Sequence, residues 1–330
     1  MCSRKSIWMS VVIILAIIMV ISTPVFAKTV TLKCAHVCAA DHPYEVGSLK
    51  LAEVVAEQTG GELVINTFPS GSLGGERDIN EGILLGTIDM TVCSLGVTAT
   101  FVPEVNVFNL PFIFKGPEHF QKVVNSQIGE NLLAAGEKHG FKMLAFCAPV
   151  FRHPMNNIRP ISSPSDFKGI KMRLMEVPMH IATYKAMGAI PTPIPFAELY
   201  SALQLGTADG NENAMTTLYT KKVYEVQKYI SVLPVFSNGA ALFMGLKQWD
   251  SLSLEHQKAI LDAVPAFKNA SNQSYIELES TNLQKMIDSG IKMIQPDVTP
   301  FQESVKSVYD DFIKDNPEAS EIIEGIKAID

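Results

Sequence analysis

The sequence predicts an α/β protein built as two similar halves with a cleft between them. Short apolar, β-branched runs alternate with helical segments, which is typical of α/β folds. The pentapeptides LGTID at 85–89 and LGTAD at 205–209 each carry a glycine directly after the last apolar residue of a predicted helix. The chain has 330 residues, 47% of them hydrophobic and 18% charged, which is enough for about two domains.

The first half shows the alternation most clearly. Gly60 and Gly61 end its first helix in the way that glycine commonly ends helices. The predicted elements are strands at 29–37, 63–68, 88–93 and 141–148 and helices at 44–58 and 75–85. Helices between consecutive strands favour mostly parallel sheets.

The second half repeats this order and ends in a helical tail. Pro265 lies inside the longest predicted helix and is expected to kink or split it. The predicted elements are a strand at 170–174 and helices at 177–187, 196–205, 254–286, 299–315 and 318–329. The loop-rich stretch 148–166 is the expected first crossover between the two halves.

The N-terminus has the pattern of a cleaved export signal. Arg4 and Lys5 precede an apolar run over 7–21, and a break at 22–24 leads to the small or medium residues of the triplet VFA at 25–27. A retained membrane anchor is the alternative. Cleavage after Ala27 removes two basic residues and no acidic one, so the mature chain has a formal charge of −9.

Four cysteines remain after the signal, and we expect them to be buried and free. Cys34 and Cys38 lie four residues apart in a predicted strand, about 13 Å if extended, which is too far for a disulfide. The spacings of Cys93 and Cys147 suggest no disulfide framework. A bridge from Cys34 to Cys93 is the alternative.

Composition and motifs exclude several classes of function. The acidic balance argues against a nucleic-acid binder, which usually carries a basic surface. No nucleophile elbow, zinc-protease or P-loop motif is present. The glycines at 71–75 lack the spacing of a dinucleotide site, and the seven histidines are scattered. We therefore expect no catalytic residue, no cofactor and no metal.

Two arginines in apolar surroundings carry most of the chemical information. Arg173 lies near the end of a predicted strand, at the edge of the sheet where α/β proteins bind ligands. Its planar guanidinium matches a carboxylate, although a structural salt bridge is equally compatible with the sequence. Arg152 falls in the proposed crossover. The amides of Asn211 and Asn213 follow the second pentapeptide and are placed to donate to the same anion.

Several segments together carry a resemblance to a known family. These are FPSGSLGGER at 68–77, NLPF at 109–112, DFKGIKMR at 166–173, PTPIPFAELYSALQ at 191–204, DGNEN at 209–213 and YEVQK at 224–228. In this order they resemble the DctP-type solute-binding subunits of tripartite ATP-independent periplasmic (TRAP) transporters. The resemblance covers essentially the whole mature chain.

The resemblance implies a two-lobed, periplasmic-binding-protein-like α/β fold with a ligand cleft and a long C-terminal helix linking the lobes. It implies lobe I at 28–149 and 239–278, and lobe II at 150–238 and 279–330, after a signal peptide at 1–27. It further implies a monomer in the periplasm that binds a small organic acid and delivers it to membrane permease subunits, without enzymatic activity.

The resemblance also assigns the ligand-binding residues. The main carboxylate-clamping arginine falls on Arg173, the second arginine on Arg152 and the completing amide on Asn213. A polar contact from the first lobe falls on Glu76, and His36 lies in the segment that reaches the ligand from that side. Ala214 and Val235 depart from residues common in the family and leave the far end of the pocket open.

A hexuronate such as D-glucuronate or D-galacturonate is the expected ligand. The segments DHPYEVG at 41–47 and GERDINEG at 75–82 resemble those of uronate-binding members, and Glu76 suits hydroxyl donors. The alternative for Glu76 is a carboxylate that satisfies a helix N-terminus.

Other functions are left open by the residues alone. A C4-dicarboxylate or a small hydroxy or keto acid is the second ligand class. An exported enzyme acting on a sugar acid and a sensor for a membrane kinase are more remote. A glycosidase would need two carboxylates about 5–10 Å apart, and nothing in the sequence pairs Glu76 with Glu212.

Overall fold

The computed structural model of the chain describes residues 29–330. The predicted export signal at 1–27 lies outside these residues. Twelve strands are described, and they are numbered here in chain order. They are β1 (Val30–Ala35), β2 (Leu63–Phe68), β3 (Met90–Ser94), β4 (Phe141–Cys147), β5 (Phe151–Asn156), β6 (Lys171–Leu174), β7 (Ile190–Pro193), β8 (Gly210–Asn213), β9 (Tyr229–Ser231), β10 (Phe236–Ser237), β11 (Ala240–Gly245) and β12 (Lys292–Ile294).

Thirteen α-helices accompany these strands within the described residues. They are α1 (Pro43–Gln58), α2 (Glu76–Leu85), α3 (Leu95–Phe101), α4 (Pro117–Val124), α5 (Gln127–Ala135), α6 (Pro178–Ala186), α7 (Leu199–Gln204), α8 (Met215–Thr220), α9 (Leu246–Ser251), α10 (Leu254–Asp288), α11 (Thr299–Ser304), α12 (Lys306–Asp315) and α13 (Ala319–Ala328). The prediction of alternating helices and strands is confirmed. The predicted helix at 299–315 is two helices, with a break at Val305.

The strands form two mixed sheets, one in each lobe. The first has the order β2-β1-β3-β11-β4, and the second has the order β12-β9-β5-β8-β6-β7 with β10 paired to β5. The prediction of mostly parallel sheets is wrong. β11 is antiparallel to both of its neighbours, and β5 is antiparallel to β8, β9 and β10. The reason is that β11 returns from the second lobe to the first sheet, which reverses its direction.

The two matching pentapeptides fold in the same way in the two lobes. In the first lobe, the Asp89 carboxylate accepts the backbone N–H of Lys33 at 2.7 Å, and the Lys33 ammonium donates to a carbonyl of the same turn. In the second lobe, Asp209 accepts from the backbone N–H of Lys171 at 2.8 Å, and the Lys171 ammonium donates to Gly206. Each turn therefore fastens a helix end to the neighbouring parallel strand.

The long helix α10 contacts both lobes. Gly47 of α1 lets the two helices approach closely, because a Cβ there would lie 2.8 Å from the Phe267 ring. Further along α10, the Glu279 carboxylate accepts from the backbone N–H groups of Met215 and Thr216 at the start of α8. The helix is continuous from Leu254 to Asp288 with Pro265 inside it, so the expected split does not occur.

The core is divided between the two lobes and the seam where they meet. Phe267 and Tyr275 of α10 are fully buried in the cluster behind the first sheet. Burying one such side chain contributes about 1.5–3 kcal/mol to stability. Cys34, Cys38, Cys93 and Cys147 are all buried and free, so the alternative bridge from Cys34 to Cys93 is not formed.

Candidate functional site

The polar groups of the site gather where strands of both sheets end. In the second sheet, the parallel strands β6 and β8 end near Arg173 and at Asn213, and the antiparallel β5 begins near Arg152. In the first sheet, β3 ends at Ser94. Because parallel strands present their carboxyl ends at one edge of a sheet, the two sheets bring these side chains to a common cleft.

The cleft contains a cavity, which we call the inner chamber, with an empty volume of about 380 Å³ that includes space open to solvent. Four of the five predicted binding residues line it, namely Glu76, Arg152, Arg173 and Asn213. The two lobes touch beside it. His42 Nε2 lies 3.3 Å from Thr217 Oγ1, and Ser94 Oγ lies 3.7 Å from Met175 Sδ.

Arg173 has an unsatisfied guanidinium in this chamber. The side chain is 1% exposed, and its Nε donates to the Ile194 carbonyl at 2.8 Å. Its Nη1 has no hydrogen-bond partner among the described residues. Burial, and secondly the nearby charge of Arg152, lower the pKa of Arg173 to about 10. A buried cation with free donors is costly unless an anion joins it.

Most of the hydrogen-bond donors of Arg152 already bind other groups of the protein. Its Nε donates to Glu212 Oε2 at 2.5 Å, and its Nη2 donates to Glu212 Oε1 at 3.0 Å. A further Nη2 bond reaches the Glu212 carbonyl, and Nη1 donates to Asn238. Because a guanidinium has five N–H groups, these four bonds leave one for a ligand. Arg152 therefore offers less to an anion than Arg173 does.

Glu212 is the carboxylate that balances this pair of arginines. It is fully buried, and burial alone would raise its pKa. The charge of Arg152 and the nearby His180 ring, whose Nδ1 lies 3.5 Å from Glu212 Oε1, instead lower the pKa of Glu212 to about 2. The Glu212 carboxylate in turn holds the pKa of Arg152 above its ordinary value, against the opposing effect of burial. The pairing joins residues 60 positions apart, which no local sequence signal indicated.

Glu76 lines the chamber from the first lobe while it also satisfies a helix start. Its two carboxylate oxygens accept from the backbone N–H of Ser94 at 2.7 Å and from Ser94 Oγ at 2.8 Å. Ser94 is the residue before α3. Glu76 is also the first residue of α2. Carboxylate lone pairs remain for a ligand hydroxyl, because each oxygen can accept more than one bond.

The structure does not bring His36 to the chamber. Its Nε2 lies 2.8 Å from Glu45 Oε2 in a fully buried contact, and Glu45 Oε1 also accepts from Thr67 Oγ1 at 2.7 Å. Burial opposes ionisation of Glu45, but these two hydrogen bonds hold its pKa below the usual range. His36 therefore supports α1 and β2 behind the cleft.

His42, which the sequence did not single out, lines the chamber instead. It precedes α1, and its Nδ1 accepts the backbone N–H of Tyr44 as a helix cap. Burial lowers the pKa of His42 to about 3, so the ring is neutral. A histidine directly before a proline that starts a helix is the only sequence signal that marks it.

A second cavity, the outer chamber, lies next to the first. Its empty volume is also about 380 Å³ including open space, and it shares the side chains of His42, Phe196 and Thr217 with the inner chamber. Lys221 lines only the outer chamber. No sequence pattern singled out this lysine, because it follows α8 in an otherwise polar stretch.

The cleft and the buried guanidinium define a class of protein, the two-lobed solute-binding proteins that close on an anionic ligand. Residues 34–315 match the family model DctP, described as bacterial extracellular solute-binding protein, family 7. The chain belongs to this family. Its members are solute-binding proteins for organic acids that work with the membrane components of TRAP transporters, and they are not enzymes.

Sequence similarity to two individual relatives supports this assignment. A solute-binding protein from Verminephrobacter eiseniae is 39% identical over 64% of this chain and 63% of its own length. The C4-dicarboxylate-binding periplasmic protein DctP of Rhodobacter capsulatus is 32% identical over 83% of each chain.

A solved structure matches the fold closely. The solute-binding protein from Roseobacter denitrificans with bound β-D-glucuronate has a TM-score of 0.88 at 27% identity. The match covers 91% of this chain and 100% of that one. Within residues 29–330, no helix has the length and hydrophobicity of a membrane span.

Proposed function

We propose that this protein captures a hexuronate, such as D-glucuronate or D-galacturonate, for a TRAP transporter. The observation that carries the proposal is the buried guanidinium of Arg173 with its free Nη1 in the inner chamber. A ligand carboxylate at this point would accept charge-assisted hydrogen bonds, which are stronger than neutral ones. Solvent exclusion by the closed lobes strengthens them further.

Lobe closure is the proposed mechanism. In the open state, water solvates Arg173 and the one free N–H of Arg152. The ligand carboxylate replaces this water, and Asn213 donates to the same group. Contacts such as that between His42 and Thr217 form only when the lobes meet, so a ligand that binds both lobes shifts the equilibrium towards closure. The closed surface then engages the permease.

The charges around the two chambers favour a monocarboxylate. Three basic side chains are present, namely Arg152, Arg173 and Lys221, and two carboxylates oppose them, those of Glu76 and Glu212. The formal excess is one positive charge, which one ligand carboxylate neutralises. A dicarboxylate would leave a negative charge uncompensated in a partly buried site, which is costly.

The neutral part of the ligand is proposed to be hydroxylated. Hydrogen-bond acceptors and donors surround the chamber. The first lobe provides Glu76 and Ser94, and the second lobe provides Asn213 and Thr217. The Roseobacter denitrificans relative with bound β-D-glucuronate supports this class of ligand. A C4-dicarboxylate, which the Rhodobacter capsulatus relative binds by name, is the second candidate, with small hydroxy or keto acids.

The predicted organisation belongs to the same proposal. Lobe I is residues 28–149 and 239–278, and lobe II is residues 150–238 and 279–330. The position of β11 in the first sheet and the contacts of α10 with α1 and α8 support these boundaries. The mature protein would be a periplasmic monomer that begins after Ala27. His36 is proposed as a support for α1 and no longer as a ligand contact.

A calorimetric panel on the mature protein, stripped of ligand by unfolding and refolding, tests the function. It includes hexuronates, aldonates, C4-dicarboxylates, keto acids and the neutral hexoses. We expect a hexuronate to bind and the corresponding hexose to be silent. Arg173→Met should weaken binding by at least about thirtyfold, because truncating one partner of a buried charge pair costs about 2–5 kcal/mol.

Arg159→Met is the matched control, because Arg159 is exposed on the second lobe and should leave affinity unchanged. A C4-dicarboxylate as the tightest ligand would overturn the hexuronate assignment. Equal affinity in Arg173→Met would overturn the carboxylate clamp.

A further inference from the structure

The outer chamber offers a cation that the protein leaves unneutralised. Lys221 is half-buried directly after α8. Its ammonium lies over the Phe196 ring, 5.0 Å from the centroid. Among residues 29–330, no carboxylate lies within 4.0 Å of this nitrogen, in contrast to the surface lysines of the ion pairs. Burial is the largest influence on this ammonium, and it lowers the pKa of Lys221.

The position of Lys221 relative to Arg173 gives this cation a role. The two chambers are adjacent, because they share lining side chains, among them His42 and Thr217. Arg173 lines the inner chamber only, and Lys221 lines the outer chamber only. Their charges are near enough that Arg173 contributes to the lowered pKa of Lys221. An oxygen-rich molecule between them would relieve this repulsion.

We propose that Lys221 binds the end of the ligand remote from the carboxylate, and so selects acids long enough to extend from Arg173 into the outer chamber. This inference rests on the proposed function and names its specificity residue. With its carboxylate on Arg173, a six-carbon sugar acid would place hydroxyl and ring oxygens in the outer chamber, whereas a three-carbon acid would end within the inner chamber. The Phe196 ring beside Lys221 provides an apolar face for the C–H groups of a sugar.

Affinity measurements on Lys221 variants with ligands of two lengths test the proposal. Lys221→Met keeps the apolar stem and removes the charge, and Lys221→Arg keeps the charge. The ligands are D-glucuronate, with six carbons, and D-glycerate, with three. We expect Lys221→Met to weaken D-glucuronate binding at least about tenfold, or about 1.4 kcal/mol, and D-glycerate binding less than about twofold. Lys221→Arg should largely restore D-glucuronate affinity.

Lys222→Met is the matched control, because Lys222 is the exposed neighbour of Lys221 and should change neither ligand. Equal losses for both ligands would mean that Lys221 acts only through general electrostatics, which overturns the proposal. Unchanged D-glucuronate affinity in Lys221→Met would also overturn it while leaving the proposed function intact. If the unaltered protein binds no hexuronate, the proposed function itself fails, and the role of Lys221 with it.

Discussion

Replacement of Glu212 by glutamine tests whether the ion pair with Arg152 holds the binding site together. The glutamine amide keeps the shape of the side chain but removes its charge, and it leaves Arg152 buried beside Arg173. Breaking a buried ion pair by neutralising one partner costs about 3–5 kcal/mol. We expect Glu212→Gln to lower the free energy of unfolding of the ligand-free protein by this amount at neutral pH.

The pH dependence gives an independent estimate of the same interaction. The folded-state pKa of Glu212 is about 2, against an ordinary value of 4.5. A lowered carboxyl pKa stabilises the protein above the unfolded-state value, and this contribution is lost as the pH falls towards 2. The difference in pKa corresponds to about 3 kcal/mol at neutral pH. At about pH 3.5, on the order of 1 kcal/mol of this contribution has been lost.

Urea unfolding followed by circular dichroism, at neutral pH and at about pH 3.5, measures both quantities. The deficit of Glu212→Gln relative to the unaltered protein should shrink by on the order of 1 kcal/mol at the lower pH. Glu81→Gln is the matched control, because Glu81 forms an exposed ion pair with Arg77 and such pairs contribute about 1 kcal/mol or less. A deficit below about 1 kcal/mol, or one that does not change with pH, would refute the reasoning.

Two further predictions concern lobe closure and the cysteines. Gly96 of α3 faces the other lobe, where a Cβ would lie 2.7 Å from Met175 Cε and 3.0 Å from Val177 Cγ2. Because overpacking costs about 1–3 kcal/mol, Gly96→Val should weaken ligand binding by about fivefold or more, with little change in the stability of the open protein. Calorimetry that shows unchanged affinity would contradict this prediction. The four cysteines within residues 29–330 are buried and free, and burial raises the pKa of Cys34 and of Cys147 to about 12. A thiol reagent should consequently modify none in the native protein and all four after unfolding, whereas fewer than four in the unfolded protein would indicate a disulfide.

The local elements were predictable because local residues decide them. The strand at 63–68 was predicted with the bounds that β2 has, since β-branched residues and the glycines before it mark its start. The helix end at Leu85 follows from Gly86, which adopts a positive φ of 78°. Arg173 was identified from its place in an alternating strand, because that alternation alone sends its side chain to the opposite face from Met172.

Contacts between segments far apart in the sequence could not be predicted from these local patterns. The direction of β11 depends on where the chain re-enters the first sheet, and nothing within residues 240–245 records this. His36 and His42 are six positions apart, and both lie at the edge of the first sheet. In the folded protein, the His36 ring contacts Glu45 and lies away from the cleft, whereas His42 lines the inner chamber.

The α/β class, the two-lobed family and the place of Arg173 on its strand could be inferred from the sequence, because these depend on short-range patterns and on motifs in fixed order. The balance of charges in the site depends on the tertiary structure. Glu212 neutralises Arg152 from 60 residues away, and no carboxylate among residues 29–330 forms an ion pair with Lys221, which lines the outer chamber. Coulomb interactions depend on distance in space and on burial, and neither quantity is fixed by the positions of residues along the chain.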